Sequence, residues 1–341
     1  MVTIYDVAKK ANVSAMTVSR VINNTGRISE KTRQKVKRVM EELNYVPNSM
    51  ARSLVLQETK ILSLLITDIT NPFYTTLARG AEDAAKQFGY RLLLCNSDEN
   101  LDKEKDYVDM ILSTRVDGVL FAPAGDSSRE HLEKLAQHNV PFVMIDREVP
   151  GITSDMIVGN SKDGARQLVE HLIGLGHRRI ALINGPHDIS TARDRQAGYI
   201  EALRLNGIEE DPELIAEAGY KTFDAVPLLE RWLRMTDRPT AVFAANNFLA
   251  LGIIRSLRKM GLRVPDDMSV VCFDDLEHVS VLEPFLTVAS QPAYSFGNMG
   301  VRLLIERIRN KGADPRKIVF PAKLIIRQSA ARLPSTQFPN R

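Results

Sequence analysis

The apolar residues of this 341-residue chain follow two periods, and the change falls near residue 60. Before it, apolar positions recur every three or four residues in three groups: Val7, Ala8 and Ala11; Val13, Val18, Val21 and Ile22; and Val36, Val39, Met40 and Leu43. That spacing predicts three short amphipathic helices around one small core. Beyond it, apolar runs alternate with helical patterns. ILSLLITDI leads to a helix near Thr75 to Phe88, RLLLCNSD to a helix ending at Thr114, DGVLFAPA to a helix through Leu135, and PFVMIDRE closes the series. The pattern restarts with DMIVGN and a helix from about Lys162 to Leu175. RIALINGP, a helix to Leu205, a short strand near Leu214, a helix through Trp232, TAVFAANN, a helix to Met260 and MSVVCFDD follow. Alternation of this kind predicts parallel sheets covered by helices on both faces. The fold class is therefore α/β, with a three-helix N-terminal unit and two doubly wound parallel-sheet lobes. LTVASQP, a helix near Phe296 to Arg309 and IVFPAKLIIRQS remain as extra elements suited to chain crossovers and sheet completion.

The signals between the first helices refine that picture. Thr3 with Asp6 approximates a capping box, Asn12 tolerates the left-handed geometry of a tight turn, and Ser14 can cap the next helix. Ser29 and Glu30 open the third helix. If Val13, Val18 and Val21 or Ile22 face helix one, then Ala15, Met16, Thr17, Ser19, Arg20 and Asn23 face a partner, in the manner of a DNA-reading helix-turn-helix. Thr3 and Ser14 join these as candidate DNA contacts. A helical hairpin alone suits any globular domain, but charge favours the DNA reading. Residues 1 to 60 hold 11 Lys and Arg against 5 Asp and Glu, net +6, which leaves −3 for the rest of a chain whose total is +3. Lys31, Arg33, Lys35, Lys37 and Arg38 would lie on the exposed side of helix three. Clustered cations on a small head are rewarded by counterion release from phosphates.

At 44% hydrophobic residues the chain has material for a head and one large or two smaller cores. No secretion signal opens it and no apolar run reaches about 18 residues, a composition expected of a cytoplasmic protein without membrane contact. Cys95 and Cys272 follow or interrupt apolar runs and read as buried thiols; the six His show no metal spacing. No cofactor, metal or catalytic residue is expected: the phosphate loop, the glycine-rich dinucleotide turn, the nucleophile elbow and the paired-histidine zinc motif are all absent.

Ligands of open α/β sheets bind beyond the carboxyl ends of strands. The polar and aromatic residues at those ends are Asp68 with Asn71, Phe73 and Tyr74; Asp146 and Arg147; Arg193 and Arg195; Asn246 and Asn247; Asp274 and Asp275; and Gln291. Carboxylates, amides and guanidinium groups near aromatic faces suit a neutral polyhydroxyl ligand. A phosphosugar or sugar acid stays open, because Arg147, Arg193 and Arg195 could meet an anion.

The motifs TIYDVAKKANVS, TVSRVIN and LNYVPNSMARSL, within Val2 to Leu54, closely resemble the headpiece of the lactose and galactose repressor (LacI/GalR) family. The resemblance implies a hinge helix from Asn48 to Leu54, after Pro47, with Asn48, Ala51 and Leu54 contacting DNA and Leu54 wedged into the minor groove. Beyond residue 60 the element order resembles the periplasmic sugar-binding fold. The implied organisation is a headpiece at 1–46, hinge helix and linker at 47–59, an effector-binding and dimerisation core at 60–330, and a tail at 331–341. Within the core, the N-lobe would span about 60–160 and 291–320, the C-lobe about 161–290 and 321–330. By motif match, Asp146, Arg195, Asn246 and Asp274 correspond to polar pocket residues of sugar-responsive members, and Phe73 and Tyr74 to their stacking pair. Many relatives carry Asn-Asp where this chain has Asn246-Asn247, which puts sugar identity in doubt. The implied function is a homodimeric repressor of carbohydrate-utilisation genes on a pseudo-palindromic double-stranded operator, controlled by a small carbohydrate. A nucleobase corepressor, a protein partner or a sugar-acting enzyme are the alternatives. The tail after Ser329 has no leucine heptad, so no tetramerising coiled coil is expected.

Overall fold

The computed structural model describes residues 2–46, 58–220, 224–276, 284–310 and 312–333. The chain forms two compact units, Met1–Lys60 and Ile61–Arg341. In the first, α1 (Ile4–Ala11), α2 (Ala15–Asn23) and α3 (Glu30–Glu42) enclose Val7, Ala11, Val18 and Val36, all without solvent exposure. Each start is fixed by a side chain. Thr3 and Asp6 complete a reciprocal capping box, Ser14 accepts from the Thr17 amide, and Ser29 from the Thr32 amide. Asn12 ends α1 at φ 50°, ψ 52°, the left-handed turn expected of it.

The larger unit holds two six-stranded sheets in the order β11-β5-β4-β3-β1-β2 and β12-β10-β9-β8-β6-β7. The first contains β1 (Ile61–Ile66), β2 (Arg91–Asn96), β3 (Gly118–Phe121), β4 (Phe142–Asp146), β5 (Asp155–Gly159) and β11 (Lys317–Phe320), all parallel. The second contains β6 (Ile180–Asn184), β7 (Ile215–Glu217), β8 (Ala241–Ala244), β9 (Ser269–Phe273), β10 (Thr287–Ser290) and β12 (Lys323–Ile325); only β12 runs antiparallel. The order β2-β1-β3-β4-β5 of one sheet is repeated as β7-β6-β8-β9-β10 in the other, two copies of one winding. Because the central strands β1, β3, β6 and β9 are buried on both faces, their sequences are nearly unbroken apolar runs.

Helices α4 (Pro72–Gln87), α5 (Leu101–Thr114) and α6 (Arg129–Gln137) belong to the first lobe; α7 (Ser161–Gly174), α8 (Ser190–Leu205), α9 (Val226–Leu233) and α10 (Asn247–Lys259) to the second. The last helix, α11 (Ala293–Arg309), returns to the first lobe and packs along α4. Glycines make that contact possible. A Cβ on Gly80 would lie 2.1 Å from the Tyr294 carbonyl oxygen, and one on Gly297 would lie 1.9 Å from that of Leu77. Two helices start earlier than their apolar spacing predicts. Asn71 accepts from the Phe73 amide and Pro72 takes the first turn, where a missing N–H costs nothing, so α4 begins before Thr75. Pro292 is the N-cap residue of α11, which therefore begins at Ala293, ahead of Phe296. The run IVFPAKLIIRQS is cut by Pro321 into β11 and β12, which complete different sheets.

Candidate functional site

On the helix-turn-helix unit, Met16 is 63% exposed and Arg20 is exposed, while Ala15, Thr17, Ser19 and Asn23 are half-buried. Several hydroxyls are already engaged. The Thr3 hydroxyl donates to Asp6 at 2.7 Å, Ser14 and Thr17 share a bond of 2.9 Å, and Asn23 donates to the Ser19 oxygen at 3.3 Å. Thr3 and Ser14 are exposed with their hydroxyls engaged locally, and Met16 and Arg20 are exposed as well. Tyr5, on α1, is 73% exposed. Lys31, Lys35, Lys37 and Arg38 are exposed as expected; Arg33 is half-buried and donates to Asn24 at the end of α2. Asn48, Ala51 and Leu54 lie outside the described residues.

Between the lobes, Asp68, Asn71, Phe73, Tyr74, Glu99, Asp146, Arg147, Thr191, Arg195, Tyr220, Asn246, Phe248 and Asp274 line a narrow cleft. Gln291 lines the adjoining space with Phe73 and Asp274. Asp146 ends β4 at φ 69°, and Asp274 directly follows β9 at φ 67°. β4 and β9 occupy equivalent places in the two sheets, so each lobe offers one carboxylate from a left-handed residue. Aspartate tolerates that conformation better than most residues.

The two carboxylates are held differently. Asp146 accepts from the Tyr74 hydroxyl at 2.8 Å; burial raises its pKa, and Arg147 and Arg195 oppose the rise. Asp274 accepts from Gln291 at 2.8 Å and from Arg195 at 3.4 Å, and burial pushes its carboxyl up to about 6. Gln291 reaches it by lying against Gly159, where a Cβ would stand 1.7 Å from Oε1. Arg195 donates Nη1 to the Ala245 carbonyl at 2.7 Å, and its guanidinium sits 4.0 Å from the centre of the Phe273 ring. Nε of Arg195 and Nε of Arg147 are buried without a hydrogen-bond partner among the described residues. Asn246 uses its oxygen to cap α10 through the Leu249 amide, leaving its NH₂ as the available group. One oxygen of Asp68 is taken by the amide and hydroxyl of Thr70. Phe73 and Tyr74 meet edge to face, 5.2 Å apart at 76°, so they do not present a flat double platform.

Four sequence readings change. Arg193 does not line the cleft: its Nη atoms bind Asp126 at 2.8 and 3.1 Å, an ion pair that joins the lobes. Arg147 lines it, but both Nη atoms are fixed on Glu99 at 2.7 Å, with further bonds to the carbonyls of Pro123 and Ala124. Asn247 is not itself on the lining: it stands behind the lining residue Asn71 and donates to its oxygen at 2.9 Å. Asp275 is likewise committed, held by both Nη atoms of Arg327. The residues that sequence reasoning missed are Glu99, Thr191, Tyr220 and Phe248. Glu99 and Tyr220 follow β2 and β7, so the strand-end rule would have found both had it been applied to the edge strands.

Comparison with known proteins agrees with both halves. The family of bacterial regulatory proteins of the lacI type matches residues 3–48, and the periplasmic binding protein-like domain matches residues 169–330. The HTH-type transcriptional regulator DegA of Bacillus subtilis (strain 168) is 38% identical over 337 residues, 97% of this chain and 98% of that protein. The HTH-type transcriptional repressor PurR of Photobacterium profundum is 35% identical over 334 residues, 98% of this chain and all of its own length (100%). Among solved structures, the lac repressor dimer bound to operator and the anti-inducer ONPF is similar with a TM-score of 0.82 and 31% identity, covering 97% of this chain and 99% of that one. These relatives are regulators of transcription and not enzymes. The chain belongs to the lacI family of bacterial regulatory proteins.

Proposed function

We propose that the protein is a cytoplasmic, homodimeric transcriptional repressor whose cleft binds a neutral polyhydroxyl effector, a sugar or sugar derivative, that changes operator affinity. Two headpieces, one per protomer, would read the half-sites of a pseudo-palindromic operator, with Arg20 and Met16 reaching base edges. Thr3, Ser14, Ala15, Thr17, Ser19 and Asn23 would support them, and Asn48, Ala51 and Leu54 would contact the minor groove.

The observation that carries the effector class is the charge of the cleft. Four carboxylates, Asp68, Glu99, Asp146 and Asp274, face two guanidinium groups, Arg147 and Arg195, and Glu99 neutralises Arg147. An anionic ligand would enter against that excess, whereas hydroxyls can donate to Asp146 and Asp274 and accept from Asn246 and Arg195. Solved relatives include a cellobiose complex, and a family member with bound ribose, consistent with this class. A nucleobase is the second reading, favoured by the aromatic rings of Tyr74, Tyr220 and Phe248 on the same lining.

Thermal unfolding of the full chain with neutral pentoses, hexoses and disaccharides, with sugar acids and phosphosugars, and with purine bases decides between them. A binder at about one hundred times its Kd stabilises the native state by about 2.7 kcal/mol. Stabilisation by a neutral sugar is expected, with a matching change in operator affinity measured by fluorescence anisotropy. Stabilisation by anions alone, or by a purine alone, overturns the sugar assignment.

A further inference from the structure

Among the described residues, and apart from the Gln291–Asp274 bond of the cleft itself, two side-chain pairs join the lobes, and most of their members stand off the cleft lining. The first is the bidentate ion pair of Asp126, after β3, with Arg193, in the first turn of α8. Arg193 is fixed a third time by the His187 carbonyl at 2.8 Å, and the Asp126 amide crosses in the other direction to the Asp188 carbonyl at 3.0 Å. The neighbouring Gly125 permits this approach, since a Cβ there would fall 2.7 Å from an Asp188 carboxylate oxygen. The second pair is Asn247, fully buried at the start of α10, donating to Asn71 at the start of α4. The Asn71 oxygen also caps α4 through the Phe73 amide at 3.0 Å, so it cannot turn away without uncapping that helix. In this arrangement the side chain at position 247 supplies the donor. An amide does so, whereas a carboxylate would set acceptor against acceptor.

We propose that the Asp126–Arg193 and Asn71–Asn247 pairs form a clasp that holds the lobes together without ligand, which makes Asp126, Arg193 and Asn247 positioning residues that set effector affinity without touching the effector. The consequence for affinity rests on the cleft being the effector site, because a lower fraction of closed protein raises the apparent Kd in proportion. The clasp itself does not depend on that reading and is tested on the protein alone.

The reporter is the amide of Glu148 in the first lobe, which donates to the Ser190 hydroxyl of the second at 2.9 Å and is altered by none of the substitutions. Its hydrogen exchange is followed in the full-length protein without ligand, with the amides of β1 and β4 as internal standards for an intact fold. Arg193→Asp and Asp126→Arg should each speed exchange at Glu148 by about 5-fold, the upper range for a partly exposed pair, and the double reversal should return it to the parent rate. Asn247→Asp should speed it as well. If a reversal prevents folding, Arg193→Gln, which removes charge without repulsion, must give the same direction. Parent-like exchange in the single reversals, or a double variant as fast as the singles together, would overturn the ion pair as a clasp. Parent-like exchange in Asn247→Asp would overturn the amide pair.

Discussion

Asp274→Asn separates charge from shape at the centre of the cleft, because asparagine also accepts the φ of 67° that Asp274 adopts. Burial pushes the parent carboxyl from 3.8 up to about 6, against the pull of Arg195 and Gln291. A folded-state pKa above the unfolded one means that the native state favours the protonated form. That stabilisation is fully present below the unfolded value and is lost as pH rises through the folded one. A rise of about two units, at about 1.36 kcal/mol each, amounts to on the order of 3 kcal/mol. The amide has no proton to lose, so the variant should gain on the parent by roughly that amount between about pH 4 and about pH 7.5. Urea unfolding of the ligand-free core transition in both proteins across this range measures it, and groups common to both cancel in the difference. With effector the order reverses. A hydroxyl bonded to a carboxylate contributes about 1.5–3 kcal/mol, so the variant should bind about 10- to 150-fold more weakly by calorimetry near neutral pH. A stability difference that does not change with pH would refute the reasoning, since it would mean that Asp274 is ionised at its ordinary pKa in the folded protein.

Arg20→Ala should relax preference at one base pair in each half-site, at a cost of about 1–3 kcal/mol for a lost bidentate contact, and a randomised-operator selection that returns the parent preference would reduce Arg20 to a phosphate contact. Asn12→Ala should destabilise the headpiece by about 1 kcal/mol while Asn12→Gly does not, a comparison of melting temperatures that isolates the left-handed turn. Gly297→Ala should lower core stability by about 1–3 kcal/mol, because its Cβ meets the Leu77 carbonyl and forces α4 and α11 apart; an unchanged melting temperature would show that the pair separates freely. Lowering pH through 6 should weaken binding of a neutral sugar in the parent, since protonation of Asp274 removes its acceptor charge, and calorimetry at two pH values should find the dependence abolished in Asp274→Asn.

The architecture was legible because its information is local. Alternating apolar runs and helical spacing state the order of strands and helices, and capping residues such as Thr3, Ser14 and Ser29 state where helices begin. Asn12 was readable for the same reason. The site was legible only in part: strand ends name residues but not partners. Asp146, Arg195, Asn246 and Asp274 do line the cleft, yet nothing in the sequence pairs Arg193 with Asp126 or Arg147 with Glu99. Those pairings depend on which loops the two windings bring together, a separation of 67 residues for one and 48 for the other. The doubt over Asn247 had the same origin. Its departure from the family pattern bore on sugar identity, and its actual contact is with Asn71, 176 residues away.

The late return of α11 and β11 to the first lobe bears on how the protein is made. While residues 61–160 leave the ribosome, Leu120 and Ile145 have no cover from the helix that later brings Gly300 against them, and β5 remains an open edge until Lys317–Phe320 arrives. The first lobe is thus begun first and finished last. A chain stopped at residue 290 would carry the headpiece and the five strands β6 to β10, but would strand an apolar face on the older lobe. Premature termination between β5 and α11 should therefore yield a product that aggregates or is degraded, not a free DNA-binding fragment competing for operators.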